Sequence, residues 1–209
     1  IEARTKLGNT PLHIASFEGH LEIVKLLIEK GVNIEAQNNQ GKTPLHIASE
    51  KGHIEIVILL IEKGANIEAR TKLGNTPLHW TSWKEHVEIV ELLIEKGANI
   101  EALDNYEKTP LHKASEKGHI EVVKLLLENG AYIQALDHLE KTPLHWTAWG
   151  GHQDVVELLL EKGANIEVED QYGETPIYKA SNAGKLEVVE LLENQEETDK
   201  DNWISGYYD

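Results

Sequence analysis

The sequence predicts an all-α solenoid of stacked helix-turn-helix units. Three repeated features, all in one phase, predict it. Thr10-Pro11-Leu12-His13 returns every 33 residues at Thr43, Thr76, Thr109 and Thr142, and a degenerate sixth copy begins at Thr175. Gly19-His20 returns as Gly52-His53, Gly118-His119 and Gly151-His152, and Gly-Ala-Asn-Ile appears at Gly64, Gly97 and Gly163. Self-similarity at a fixed period of this length is the signature of a stacked repeat array.

Each anchor has a physical reason. Threonine before proline caps a helix whose first turn has no use for the missing N–H, so Thr-Pro opens a short first helix. Ala15-Ser16, Ala48-Ser49 and Ala114-Ser115 are small and let neighbouring helices approach. The second helix, expected from Leu21 to Glu29, carries apolar Ile23, Val24, Leu26, Leu27 and Ile28 and only Glu22, Lys25 and Glu29 as a polar stripe, so it must be covered on more than one side. Gly31, Gly64, Gly97, Gly130 and Gly163 end that helix where a left-handed backbone suits glycine, and the chain turns out into a hairpin finger. A single helix pair cannot hide its apolar faces, so stacking on the next repeat supplies the core.

Three positions break the pattern. Glu107 and Glu140 stand where a finger glycine is expected, and Glu85 where the glycine between helices is expected. Each costs roughly 1 kcal/mol if the backbone keeps positive φ, which makes repeats three to five locally softer. A longer echo also runs through the chain: IEARTKLGNTPLH opens at Ile1 and at Ile67, and Trp-Thr-x-Trp at Trp80 and Trp146, 66 residues apart in both cases.

The pattern G-x-T-P-L-H, a small pair, G-H, an apolar helix and G-A resembles the ankyrin repeat. The resemblance covers residues 1 to about 194 and divides them at about 1–36, 37–69, 70–102, 103–135, 136–168 and 169–194. It implies β-hairpin finger loops and a non-catalytic scaffold that binds a protein or peptide on a concave groove made by the finger tips and the exposed side of the first helices.

Composition agrees with that class. A net charge of −16, from 36 acidic and 20 basic side chains, repels nucleic acid and anionic membrane. There is no cysteine, hence no disulfide, thiolate nucleophile or cysteine metal site, and an intracellular, cytoplasmic setting is expected. No apolar run is long enough to cross a bilayer. Ten of the eleven histidines occupy two fixed repeat positions, with only His138 outside them, and the resemblance implies that they act as hydrogen-bonding spacers rather than metal ligands. No cofactor fingerprint or catalytic constellation is present. Because Ile1 enters in mid-repeat without a start methionine, an interaction module of a larger enzyme or effector stays open, as does an engineered or structural array with no natural partner.

Positions that differ between repeats nominate the binding residues. On the fingers these are Lys6, Leu7, Asn39, Lys72, Leu73, Tyr106, His138, Leu139 and Tyr172. The first helices and their ends add Phe17, Trp83, Lys84, Lys117 and Trp149. Trp80 and Trp146 are expected to fill the space between helices, and Trp83 and Trp149 to face the groove. Arg4, Lys42, Lys51, Arg70, Lys108 and Lys141 gather on the groove side against acidic outer helices, which suits an acidic, aromatic partner, although Glu18, Glu50 and Glu116 weaken the bias. Residues 195–209 read as an acidic aromatic tail without helical period. Its Trp203, Ile204, Tyr207 and Tyr208 are candidates for docking on a groove, in the same molecule or a neighbouring one, with covering of the open apolar end of the sixth repeat as the rival reading of the tail.

Overall fold

A computed structural model describes the backbone of residues 2–205 and the side chains of residues 2–196. Every first helix starts at Thr-Pro, as the sequence dictates: α1 (Pro11–Glu18), α3 (Pro44–Lys51), α5 (Pro77–Lys84), α7 (Pro110–Lys117), α9 (Pro143–Gly150) and α11 (Pro176–Asn182). In the first five the threonine and the histidine three residues on form a reciprocal capping box, satisfying N–H groups that a helix start would leave bare. The second helices are α2 (Leu21–Glu29), α4 (Ile54–Glu62), α6 (Val87–Glu95), α8 (Ile120–Glu128), α10 (Gln153–Glu161) and α12 (Leu186–Ser205). Among the described residues all regular structure is helical, in six pairs.

The chain divides into two compact units between Asn105 and Tyr106. In the first, α1, α3 and α5 pack side by side, as do α2, α4 and α6 behind them; in the second, α7, α9 and α11 form one row and α8, α10 and α12 the other. Within each unit the core lies between the rows. Leu45, Leu60, Leu78 and Leu93 in the first and Leu111, Leu126, Leu144 and Leu159 in the second are shut off from solvent, each burial contributing about 1.5–3 kcal/mol. Ala48, Ala114 and Ala148 are fully buried, and the absence of a larger side chain there lets successive first helices touch.

The finger loops are tight turns, and among the described residues no strand is formed, so the expected β-hairpin ladder is not what holds them. Each tip instead donates a backbone N–H to the preceding tip: Asn39 to Leu7, Lys72 to Gln40 and Asn105 to Leu73 in the first unit, His138 to Tyr106 and Gln171 to Leu139 in the second. The three glutamates nominated as misfits do keep the left-handed backbone, with φ of 61° at Glu85, 57° at Glu107 and 58° at Glu140.

Helix α12 does not stop at Asn194 but runs to Ser205. Residues 195–205 are therefore helical rather than a non-helical extension, because Glu196, Glu197 and Lys200 are good helix formers and no glycine or proline interrupts the chain between Gly184 and Gly206. Trp203 and Ile204 fall in this helix; Tyr207 and Tyr208 lie outside the described residues. No helix among the described residues is long and apolar enough to cross a membrane.

Candidate functional site

The histidines resolve first, because their geometry decides what they can do. In the first series, the backbone N–H of Thr10, Thr43, Thr109 and Thr142 donates to Nδ1 of His13, His46, His112 and His145 at 3.1 Å. With Nδ1 an acceptor, the proton sits on Nε2, which donates to a carbonyl of the next repeat: Lys42 at 2.9 Å, and Asn75, Lys141 and Glu174 at 3.0 Å. Burial opposes the charged ring, pushing His46 and His145 down to about 4 and lowering His13 and His112. These rings are neutral pegs with both nitrogens in use. In the second series, Nε2 of His53, His86 and His152 reaches back to the carbonyls of Phe17, Glu50 and Glu116 at 3.0, 3.0 and 3.2 Å. Among the described residues no group of three or more His, Cys, Asp or Glu is placed to hold a metal ion.

The exposed side of the first helices is more distinctive. In the second unit Lys108 lies over Trp146, its ammonium 3.3 Å from the ring centroid, while Glu116 holds that ammonium at 2.6 Å. Lys141 approaches the same indole at 5.0 Å, Asp137 accepts the indole N–H at 2.9 Å, and Trp149 meets it edge-on at 6.1 Å and 84°. The first unit repeats the core of this arrangement: Lys42 lies 3.7 Å over Trp80 and pairs with Glu50 at 2.6 Å. The 66-residue echo in the sequence is thus an echo of Lys-Glu-Trp clusters, one in each unit.

One expectation needs correction here. Trp146 is half-buried under two lysines and against Trp149, and Trp80, also half-buried, sits under Lys42 in the same way. Lys42 and Lys108 are not free groove cations, since both are largely buried and neutralised by Glu50 and Glu116. Sequence reasoning missed this cluster, yet a signal was there: the repeat position of Trp80 and Trp146 is lysine at Lys113 and Lys179, so although Ile47 is buried there, the position also admits a long side chain that keeps its ammonium near solvent.

The remaining nominated residues divide by what they touch. Lys6, Leu7, Lys72, Leu73, Lys84, Lys117 and Tyr172 are exposed and Leu139 half-exposed. Asn39 is committed to the fingers, its side-chain amide donating to the Lys6 carbonyl at 3.0 Å. Tyr106 and His138 lie ring against ring at 5.4 Å, and His138 Nδ1 also meets the Tyr106 carbonyl at 2.9 Å. Phe17 is 46% exposed beneath Lys51, whose ammonium is 4.2 Å from the ring centroid. Trp149 is 53% exposed, and Trp83 is half-buried.

Comparison with known proteins bears on what such a scaffold is. The family model described as Ankyrin repeats (3 copies) matches residues 1–71, 68–137 and 134–202. Curated protein sequences give no match. Members of that family are in general protein–protein interaction modules. With paired helices at a 33-residue period, capping boxes at every Thr-Pro-Leu-His and a family match along nearly the whole length, the chain belongs to the ankyrin repeat family.

Proposed function

We propose that the protein is a non-catalytic, intracellular scaffold that binds a protein or peptide on the face made by its finger tips and the exposed side of its first helices. The observation that carries this reading is the exposure of aromatic rings there: Phe17 and Trp149 are about half exposed in a protein whose buried hydrophobic core, among the described residues, is built of leucine, isoleucine, valine and alanine. Aromatic side chains in such positions are the usual anchors of interfaces. The buried histidines His13, His46, His112 and His145 are occupied in hydrogen bonds between repeats, which supports binding over turnover.

The test compares two faces of the same chain. A photo-crosslinking residue at position 17 or 149 should capture protein from a cell extract, and one at Glu55 or Glu88 on the second helices should not. The combined Phe17→Ala, Trp83→Ala and Trp149→Ala variant, folded as judged by circular dichroism, should lose the captured species. Equal capture from the second helices, or full retention by the triple variant, would count against this reading.

A further inference from the structure

The second unit contains a cleft of about 270 Å³ lined by Lys141, His145, Trp146, Trp149, Lys179 and Asn182. Its size suits one anchoring side chain rather than a drug-sized molecule. Two tryptophans meeting edge-on suggest at first a cage for an alkylammonium guest, because aromatic faces attract cations. The occupancy of those faces argues otherwise. Trp146 is already covered by Lys108 at 3.3 Å and approached by Lys141 at 5.0 Å, so a cationic guest would meet two ammonium groups of the protein itself.

None of the six lining residues is a carboxylate. Lys179 is committed to Asp170, 2.8 Å away, and to Glu174. His145 spends both nitrogens on Thr142 and Glu174. Among the described residues Lys141 makes no ion pair; its own backbone N–H is bound to Asp137 and its carbonyl to His112, which fixes where its side chain begins. Trp149 offers an open ring face, held in place by Trp146, which is in turn fixed by Asp137 and Lys108. Asn182, exposed at the rim, offers an amide able to give and take hydrogen bonds with a peptide backbone.

We infer that this cleft anchors an acidic peptide segment of a partner, an apolar side chain lying on Trp149, a neighbouring carboxylate on Lys141 and the peptide backbone on Asn182. The inference rests on the protein-binding reading above and adds the chemistry of the partner. Charge chooses the ligand and the fixed indole pair lowers the cost of ordering the site.

The full chain is titrated with a short fluorescein-labelled peptide in which leucine is flanked on both sides by aspartate and glutamate, and with a counterpart in which lysines replace every acid. Anisotropy should report binding of the acidic peptide alone, weakening as salt is raised. Lys141→Glu and Trp149→Ala should each weaken it by about tenfold or more, the size of effect expected of an interface anchor. Lys96→Glu, exposed at the end of the second helix α6 in the other unit, should leave it unchanged. Preference for the lysine peptide, binding of neither peptide, or binding indifferent to Lys141→Glu overturns the inference. Those results leave the broader reading standing if crosslinking from position 149 still captures protein, so the two failures are distinguishable.

Discussion

The indole N–H of Trp146 donates to the carboxylate of Asp137, on the finger of the same repeat, at 2.9 Å. The same carboxylate accepts the backbone N–H of Leu139 at 2.9 Å and of Lys141 at 3.0 Å, so one buried group ties the finger turn to the exposed side of α9. Two repeats earlier the corresponding residue is Thr71, whose hydroxyl accepts the Asn75 N–H, and among the described residues the buried indole nitrogen of Trp80 has no hydrogen-bond partner. A buried donor left unpaired is costly. Thr71→Asp should therefore stabilise the protein by about 1 kcal/mol, with Lys42 over Trp80 supplying the countercharge that Lys108 supplies over Trp146. Asp137→Ala should cost about 2 kcal/mol. Urea unfolding midpoints check both, and a destabilised Thr71→Asp protein would show that the two clusters are not equivalent.

Glu85, Glu107 and Glu140 hold positive φ near 60°, where a Cβ sits too close to the following carbonyl. Replacing each with glycine should raise stability by about 1 kcal/mol, the relief of a left-handed side chain less the greater freedom that glycine has in the unfolded chain. Thermal melts of the three single variants check this. No gain at any of the three would mean that the loops relax the strain elsewhere.

These glutamates were legible in the sequence because the repeat supplies five other copies of each position to compare with, and because backbone conformation is set by neighbours a few residues away. The helix starts and ends were legible for the same reason. The Lys-Glu-Trp clusters were not: Lys108 meets Glu116 eight residues on and Trp146 thirty-eight residues on, and the second separation becomes contact only through the offset between stacked repeats. Charge counting misled for a related cause, since a lysine turned onto an indole and a glutamate still counts as a cation in sequence. The far end of α12 was missed because the repeat pattern ends at Asn194 while helix propensity does not.

The Lys108–Glu116 pair offers a further test. Burial pushes the Lys108 ammonium below its ordinary value, and its hydrogen bond and charge contact with Glu116 oppose that. Removing the carboxylate alone strands a cation that has lost much of its solvent. Glu116→Ala should cost about 2 kcal/mol, below the 3–5 kcal/mol of a fully buried pair because both side chains retain some exposure. The double variant Lys108→Met with Glu116→Leu should recover most of that loss, since an apolar pair needs no desolvation of charge. A double variant as unstable as the single would show that Lys108 contributes mainly through Trp146.

Acid should weaken the fold through the histidine pegs, and the direction follows from where the proton is refused. Burial lowers His46 and His145 from 6.5 to about 4 and lowers His112 and His13 as well. Above about pH 6.5 these rings are neutral whether the chain is folded or not, so their contribution to stability is complete. As pH falls below that value the unfolded chain takes up protons that the folded chain refuses, and each ring removes about 1.4 kcal/mol per pH unit until its folded value is reached. Two pH units spread over several rings remove an amount comparable with the whole stability of an ordinary domain, about 5–15 kcal/mol. Asp170 adds a separate loss below about pH 4: burial would raise its pKa, but the Lys179 ammonium and the Tyr172 N–H outweigh burial and hold it below its ordinary value. Urea midpoints measured from pH 8 to pH 4 should be level down to about pH 6.5 and then fall steeply, with proton uptake on unfolding in the same window. A midpoint unchanged at pH 5 would show that the pegs accept a second proton without breaking their bond to the threonine N–H, contrary to the geometry that places Nδ1 as an acceptor.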